Sequence, residues 1–399
     1  MGAVPKRLPP LLLSLILVTL TGHMAMSGGR VSGSLFALQS GSPDLVVGVF
    51  MAMFSVLPAL AAMSIGRWVD RIGALPVLRT GVLAVLFGAT VPVLWLSVPA
   101  LFVMAVFVGF GFNAMSVAGQ HTVGAMAQGQ SAKQRLRNFG WYALGHSASS
   151  ALGPFISGLL IDYAGFRTAF GTMALFTCAA CWLVFRKLSA LPAAAKVDAT
   201  HPGSAKAAAW QDLLAKPEMR RIYYTSMALS CCWDLFIVML PVLGTRLGFS
   251  ASIIGTVFSL FAVGTFFSRA MMPFLSNRVR EWQIMRAAMV IIALVFVVLP
   301  WASAAAVFML LGFLFGSAIG FSQPNMLSLL HAAAPLGRGG EALGLRSLIG
   351  NGSSVLVPVA FGLAVGPLGV APLLWSGAAL ISSAVPAAHR GVRQHSERR

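Results

Sequence analysis

Residues 98–126 read VPALFVMAVFVGFGFNAMSVAGQHTVGAM, a run without one Asp, Glu, Lys or Arg. An α-helix needs about 20 mostly apolar residues to cross a bilayer, and this stretch exceeds that. Working outward, similar apolar stretches recur at 11–38, 43–66, 74–96, 138–162, 165–188, 219–245, 250–274, 282–301, 303–330, 341–365 and 368–388. With 98–126 they make twelve. The whole chain has 399 residues, 58% hydrophobic and 10% charged, against about 25% charged in an ordinary soluble domain. So few charges cannot cover a soluble surface of this size. A soluble enzyme and a disordered chain are both excluded. The predicted fold class is all-α, a polytopic membrane protein with twelve transmembrane helices. Lys6 and Arg7 precede the first Leu-rich run, which is read as the first span and not as a cleaved signal peptide.

The chain carries 28 Lys and Arg against 10 Asp and Glu, a net charge of +18. In a soluble protein that balance would point to nucleic acid. Placing the cations on the twelve-span map removes that reading. Arg30, Arg167 and Arg246 fall on the outer half, and the other 25 of 28 fall at cytoplasmic ends and loops. The positive-inside rule accounts for such a bias and sets both termini in the cytoplasm. Cys178, Cys181, Cys231 and Cys232 all lie in apolar stretches and read as small packing residues, with no disulfide framework or metal site.

The central stretch 189–218 is Ala-rich with scattered Lys, Pro and Gly, the only long non-apolar segment inside the chain. It reads as a cytoplasmic linker between an N-terminal half, 1–188, and a C-terminal half, 219–399, with a short basic tail. The halves share a pattern. Ser149-Ser150-Ala151-Leu152-Gly153-Pro154 matches Ser353-Ser354-Val355-Leu356-Val357-Pro358 at an offset of 204. At an offset of 207, Asp70-Arg71 and Arg79 overlie Asn277-Arg278 and Arg286. Repeated six-span halves fit a carrier whose substrate site lies near the midplane.

After the second span the chain reads Gly66-Arg67-Trp68-Val69-Asp70-Arg71-Ile72-Gly73-Ala74-Leu75. This resembles the GxxxDRxGR signature of the major facilitator superfamily, with Ala74 and Leu75 where a basic pair is expected and Arg79 further on. In the fifth span Gly145, then Gly153-Pro154-Phe155-Ile156-Ser157-Gly158, resemble that family's antiporter element, with Ser157 in place of one Gly. Arg338-Gly339-Gly340-Glu341 and Gly344-Leu345-Arg346 also look like it. The resemblance covers essentially the whole chain. It implies two pseudo-symmetric six-helix halves and the bacterial drug or metabolite efflux branch, in an inner membrane. It also implies a cytoplasmic latch made of Gly66, Asp70, Arg71, Arg79, Asn277 and Arg278. Gly145, Gly153, Pro154 and Gly158 would then pack helices closely.

Charges inside a bilayer are costly and mark functional positions. Arg30 and Asp234 differ by 204, the repeat offset, and so hold equivalent places in spans one and seven. Three readings stand. They pair across the central cavity in one state of the cycle; or each serves its own half, with Arg30 reaching outward and Asp234 held by neighbouring hydroxyls; or they contact substrate directly. His23 falls near mid-depth, whereas His121 and His146 fall toward the cytoplasmic side, which argues against a shared metal site. Asn113, Gln120, Gln323 and Asn325 are amides that line a cavity or bond between helices, and Pro324 is expected to break span ten locally. Arg269 and Arg346, at cytoplasmic span ends, are expected to anchor or to touch the latch. The expected function is proton-coupled efflux of small organic molecules by alternating access, by a monomer with protons as coupling ion. The alternative is uptake by symport, or uniport, of a metabolite such as a sugar or organic acid. No enzyme-type cluster, no GxxxxGK[ST] nucleotide loop and no cofactor motif is found. One Arg and one Asp in the cavity lean toward an anionic, zwitterionic or neutral substrate.

Overall fold

The computed structural model describes residues 9–126, 132–188, 213–214, 216–275, 279, 281–334 and 339–397. Their helices are α1 (Pro10–Gln39), α2 (Asp44–Ile72), α3 (Ala74–Leu94) and α4 (Val98–Met126). The segment Ala132–Arg186 is broken by non-helical Gly165, giving α5 (132–164) and α6 (166–186). Then come α7 (Pro217–Arg246), α8 (Ala251–Leu275), α9 (Glu281–Val298), α10 (Ala305–Ala333), α11 (Gly339–Leu368) and α12 (Val370–Glu397). A 3-10 turn, Leu299–Trp301, follows α9. Among the described residues ten helical stretches are long and apolar enough to cross a membrane. One of the ten is the 47-residue run Gly140–Arg186 that Gly165 divides, and α12 adds a shorter apolar part, Val370–Pro386. The polypeptide is an integral membrane protein of all-α architecture.

Lipid offers no hydrogen bonds, so each span must satisfy its backbone internally as a helix. Pro58, Pro92, Pro154, Pro241, Pro324 and Pro358 all sit inside helices, as spans tolerate when neighbours re-satisfy the backbone. Contrary to the expected break at Pro324, α10 runs on through it to Ala333. The four cysteines are free thiols.

The helices fall into two compact units: Met1–Phe36 with Met53–Thr200, and Ala37–Ala52 with His201–Arg399. The predicted division lies between 188 and 219, and the units differ from it chiefly by residues 37–52. Local geometry recurs along the chain at the two offsets read in the sequence. The α1–α2 turn has Gly41 at φ 73° and the α7–α8 turn has Gly248 at φ 73°, 207 residues apart. Their bonds also correspond, Ser42 N–H to the Ala37 carbonyl at 3.0 Å and Phe249 N–H to the Gly244 carbonyl at 2.9 Å. The α5–α6 and α11–α12 turns use Gly165 at φ 81° and Gly369 at φ 78°, 204 apart. Left-handed backbone is open to Gly and strained for other residues, so these matched turns are fixed by the sequence.

The same holds where helices cross. A Cβ on Gly109 would come within 2.8 Å of the Phe54 Cα, and one on Gly316 within 2.8 Å of the Phe261 Cα. Both pairs are offset by 207. Small residues let helices approach where lipid gives no hydrophobic drive. In the second unit hydroxyls add to this contact: Ser268 Oγ donates to the Ser317 carbonyl at 2.6 Å and Thr265 Oγ1 to the Gly316 carbonyl at 3.1 Å.

Candidate functional site

Asp234 lies buried on α7 in the second unit. A carboxylate is costly to bury unless donors meet it, and α11 supplies two. Ser353 Oγ donates to Oδ2 at 2.6 Å and Ser354 Oγ to Oδ1 at 3.0 Å. Ser353 Oγ is also 2.9 Å from the Gly350 carbonyl of its own helix, so its single proton is shared between two acceptors.

Beside the carboxylate is a cavity of about 170 Å³ between α7, α10 and α11. Ser226, Ser230, Trp233, Gln323, Arg346 and Ser354 line it together with Asp234. Trp233 is braced edge-on against Phe261, ring centroids 4.9 Å apart. Gln323 Oε1 accepts from the Arg269 guanidinium at 3.2 Å, which orients the amide. The Arg346 Nε is buried and has no hydrogen-bond partner among the described residues.

Arg346 thus lines the same cavity as Asp234, a role its place at a span end did not suggest. Gly350 lies opposite Ser230, and Ser354 lies against Asp234. Arg346, one turn before Gly350, is therefore about two turns, roughly 12 Å, from Asp234 along the helix axes. The signal was present as Arg346, Gly350 and Ser354 at four-residue spacing on one helix face. It becomes legible once Asp234 is known to face that stripe.

In the first unit the equivalent place is occupied differently. Arg30 lies with its guanidinium carbon 5.0 Å from the Phe54 ring centroid. His23 is buried, and its Nδ1 is 2.8 Å from Ser149 Oγ. Its ring centroid is 4.1 Å from that of His146 on α5 and 4.6 Å from Phe112 on α4. The sequence put these two histidines at different depths because it started span five at 138. The helix starts six residues earlier, at Ala132. His23 is then 13 residues into α1 and His146 14 residues into α5, both roughly 20 Å along their axes. His121 stands apart on α4, exposed. Among the described residues no group of three or more His, Cys, Asp or Glu could hold a metal ion.

The amides divide. Asn325 is buried and turned onto its own helix, Nδ2 donating to the Phe321 carbonyl at 2.7 Å. Gln120 is exposed and donates to Ser116 Oγ at 3.0 Å, and Asn113 is half-buried on α4. Of the four, Gln323 is the one brought to the Asp234 cavity.

The profile of the Major Facilitator Superfamily matches residues 12–358. The chain belongs to the major facilitator superfamily. Solved structures agree with it in fold. The crystal structure of a mutant peptide transporter POT has a TM-score of 0.80 at 14% identity, covering 98% of this chain and 96% of that one. A mutant of the nucleoside transporter NupG gives 0.74 at 15% identity, over 95% and 99%. A bacterial homologue of the human lysosomal transporter Spinster, inward-facing and unoccupied, gives 0.71 at 15% identity, over 97% and 95%. No curated protein matches the chain in sequence. Membership makes the polypeptide a transporter of the superfamily type.

The superfamily signature after the second span is helical here. Gly66 to Ile72 form the last turns of α2, Gly73 turns at φ 89°, and α3 starts at Ala74. Arg71 sits in the last turn of α2, where a cation meets the negative end of the helix dipole. Arg79 lies over the Phe185 ring of α6, 5.3 Å from its centroid. The side chain of Asp70, and Asn277 and Arg278 altogether, lie outside the described residues. In the antiporter-type element, a Cβ on Gly153 would stand 3.1 Å from the Gly28 amide nitrogen and 3.2 Å from the Met24 carbonyl. One on Gly145 would stand 2.9 Å from Ile16 Cγ2. Both glycines therefore seat α5 on α1, with Pro154 and Gly158 in the same stretch of α5.

Proposed function

We propose that this superfamily transporter is a proton-coupled exporter of small organic molecules, with Asp234 binding the coupling proton. One observation carries the reading: a buried carboxylate at a cavity, met by two serine hydroxyls from another helix. Ionised, Asp234 accepts both hydroxyls. Protonated, one of its oxygens becomes a donor, and the two bonds to Ser353 and Ser354 cannot both persist in the same form. Binding a proton therefore changes how α7 meets α11, and a ligand that prefers one arrangement shifts the balance between them.

The cavity couples that acid to the guanidinium of Arg346 and the amide of Gln323. Opposite charges about two turns apart suit a zwitterion, or a neutral polar molecule, better than a bare organic cation. Export is supported by the antiporter-type element around Gly153 and Pro154. Uptake by symport uses the same cavity with substrate and proton moving in the same direction, and uniport of a sugar or organic acid uses it with no proton flux. The bias of cations supports both termini on the cytoplasmic side of a bacterial inner membrane, with the monomer as the working unit.

The test is proton flux in proteoliposomes. A pH gradient is imposed, panels of drugs, sugars, amino acids and organic acids are added, and gradient collapse is followed with a pH dye. The expected result is collapse by one compound class in wild type and none in Asp234→Asn. Radiolabelled compounds that equilibrate without moving protons would overturn the coupling and leave a uniporter.

A further inference from the structure

We infer that His23 and His146 form a second proton-binding site, in the first unit, in which two imidazoles in ring contact take up one proton as a pair. The inference deepens the proton-coupled reading and rests on it for its role in transport.

The repeat gives the first ground. Ser149 and Ser353 are 204 residues apart and make the same bond within their helices. Ser149 Oγ donates to the His146 carbonyl at 2.8 Å and Ser353 Oγ approaches the Gly350 carbonyl at 2.9 Å. Each also reaches the titratable side chain of the first helix of its unit, His23 in one and Asp234 in the other. The same serine thus presents an imidazole in one unit and a carboxylate in the other.

Hydrogen counting gives the second. Ser149 has one hydroxyl proton. If it goes to the His146 carbonyl, the contact with His23 Nδ1 at 2.8 Å is a hydrogen bond only when Nδ1 carries the hydrogen. The neutral ring then keeps its lone pair on Nε2, which is the atom that takes a proton. The reverse arrangement, Ser149 donating to Nδ1, would leave the carbonyl contact without a hydrogen.

The third is the ring contact. With ring centroids 4.1 Å apart and planes tilted by 41°, a second positive charge beside a first imidazolium is repelled, so the pair takes up its protons in separate steps. Phe112 on α4 closes the cluster, 4.6 Å from His23 and 5.8 Å from His146. The groups that act electrostatically on His23 are His146 from α5 and Arg30 from α1. Tyr142, buried one turn before His146, is the nearest titratable neighbour of His146 along α5.

The test is nitrogen-15 NMR of the histidine-labelled full chain in lipid nanodiscs, titrated from about pH 8 to about pH 5, the range in which imidazoles ordinarily change charge. Signals are assigned by their loss in His23→Gln and His146→Gln. The expected result is that both rings move together with total uptake of one proton, and that His146→Gln displaces the His23 midpoint by about half a pH unit or more. Ser149→Ala, which removes one hydroxyl, is expected to mix the His23 tautomers and move the same midpoint. If both rings stay neutral throughout, or titrate independently with one proton each, the inference falls. The titration needs no substrate. Its failure is therefore distinct from failure of wild type to exchange protons in proteoliposomes, which would sink the proton-coupled reading.

Discussion

The two units place the same helices against each other in different ways. In the first, α5 meets α1 through glycine: Gly145 and Gly153 bring backbone to backbone, and a Cβ at Gly153 would stand 3.1 Å from the Gly28 nitrogen. In the second, the residues 204 further on are Ile349 and Val357. There α11 meets α7 through the serine–carboxylate bonds, with the Asp234 cavity on one side. An apolar cavity of about 270 Å³ lined by Cys232, Val357 and Phe361 lies on the other. A repeat fixes where helices run. Side-chain size at the crossing then decides whether the seam is closed or holds a site. The closed seam carries the histidine pair and the open one carries the carboxylate with Arg346.

The strongest way to break the contrast is Gly153→Val, which gives the first unit the second unit's residue. The added atoms meet backbone that cannot swing aside, and overpacking of this kind costs about 1–3 kcal/mol or more. A clear fall in the melting temperature is expected, with loss of transport, measured by thermal unfolding and flux. An unchanged melting temperature would show that α1 and α5 can part. Next is Asp234→Asn. It should abolish pH-driven flux, a change of tenfold or more, about 1.4 kcal/mol in barrier, while substrate-exchange flux at equal pH survives in part.

Arg346→Gln tests the cavity's other pole. Apparent substrate affinity should weaken about tenfold, about 1.4 kcal/mol, with proton-gradient coupling retained. Loss of coupling with affinity intact would remove Arg346 from the substrate site. Comparing Ser353→Ala with Ser149→Ala sharpens the contrast further. Hydrogen bonds to charged groups contribute about 1.5–3 kcal/mol and neutral ones about 0.5–1.5 kcal/mol. At neutral pH the stability loss, read by denaturation, should be larger for Ser353→Ala, and the gap should close as Asp234 is protonated.

The smallest effect is expected at the start of α2. Arg246 pairs with Asp44 at 2.5 Å, with side chains 42% and 19% exposed. Such a pair is worth about 0–1 kcal/mol and is screened by salt. Asp44→Asn should lower stability slightly in low salt, and the difference should vanish near 1 M salt.

By itself the sequence determined the class, the spans and the repeat. Bilayer thickness imposes span length, lipid forbids unpaired backbone, and the offsets 204 and 207 can be counted along the chain. They reappear as matched Gly turns and matched crossings because left-handed backbone and close approach both demand small residues. The turn between spans five and six was legible as the gap between the apolar runs 138–162 and 165–188, and Asp234 stood out because a charge inside a bilayer is costly. The partners of these residues were not. Ser353 and Arg346 lie more than a hundred residues from Asp234, and His23 is 123 residues from His146. Depth counting failed for that pair because polar residues 132–137 continue α5, and apolar run length does not register helix that extends beyond the lipid. Which face of each helix turns toward which neighbour depends on how side-chain volumes close a seam. That is a property of two helices at once, so only the tertiary structure decided it.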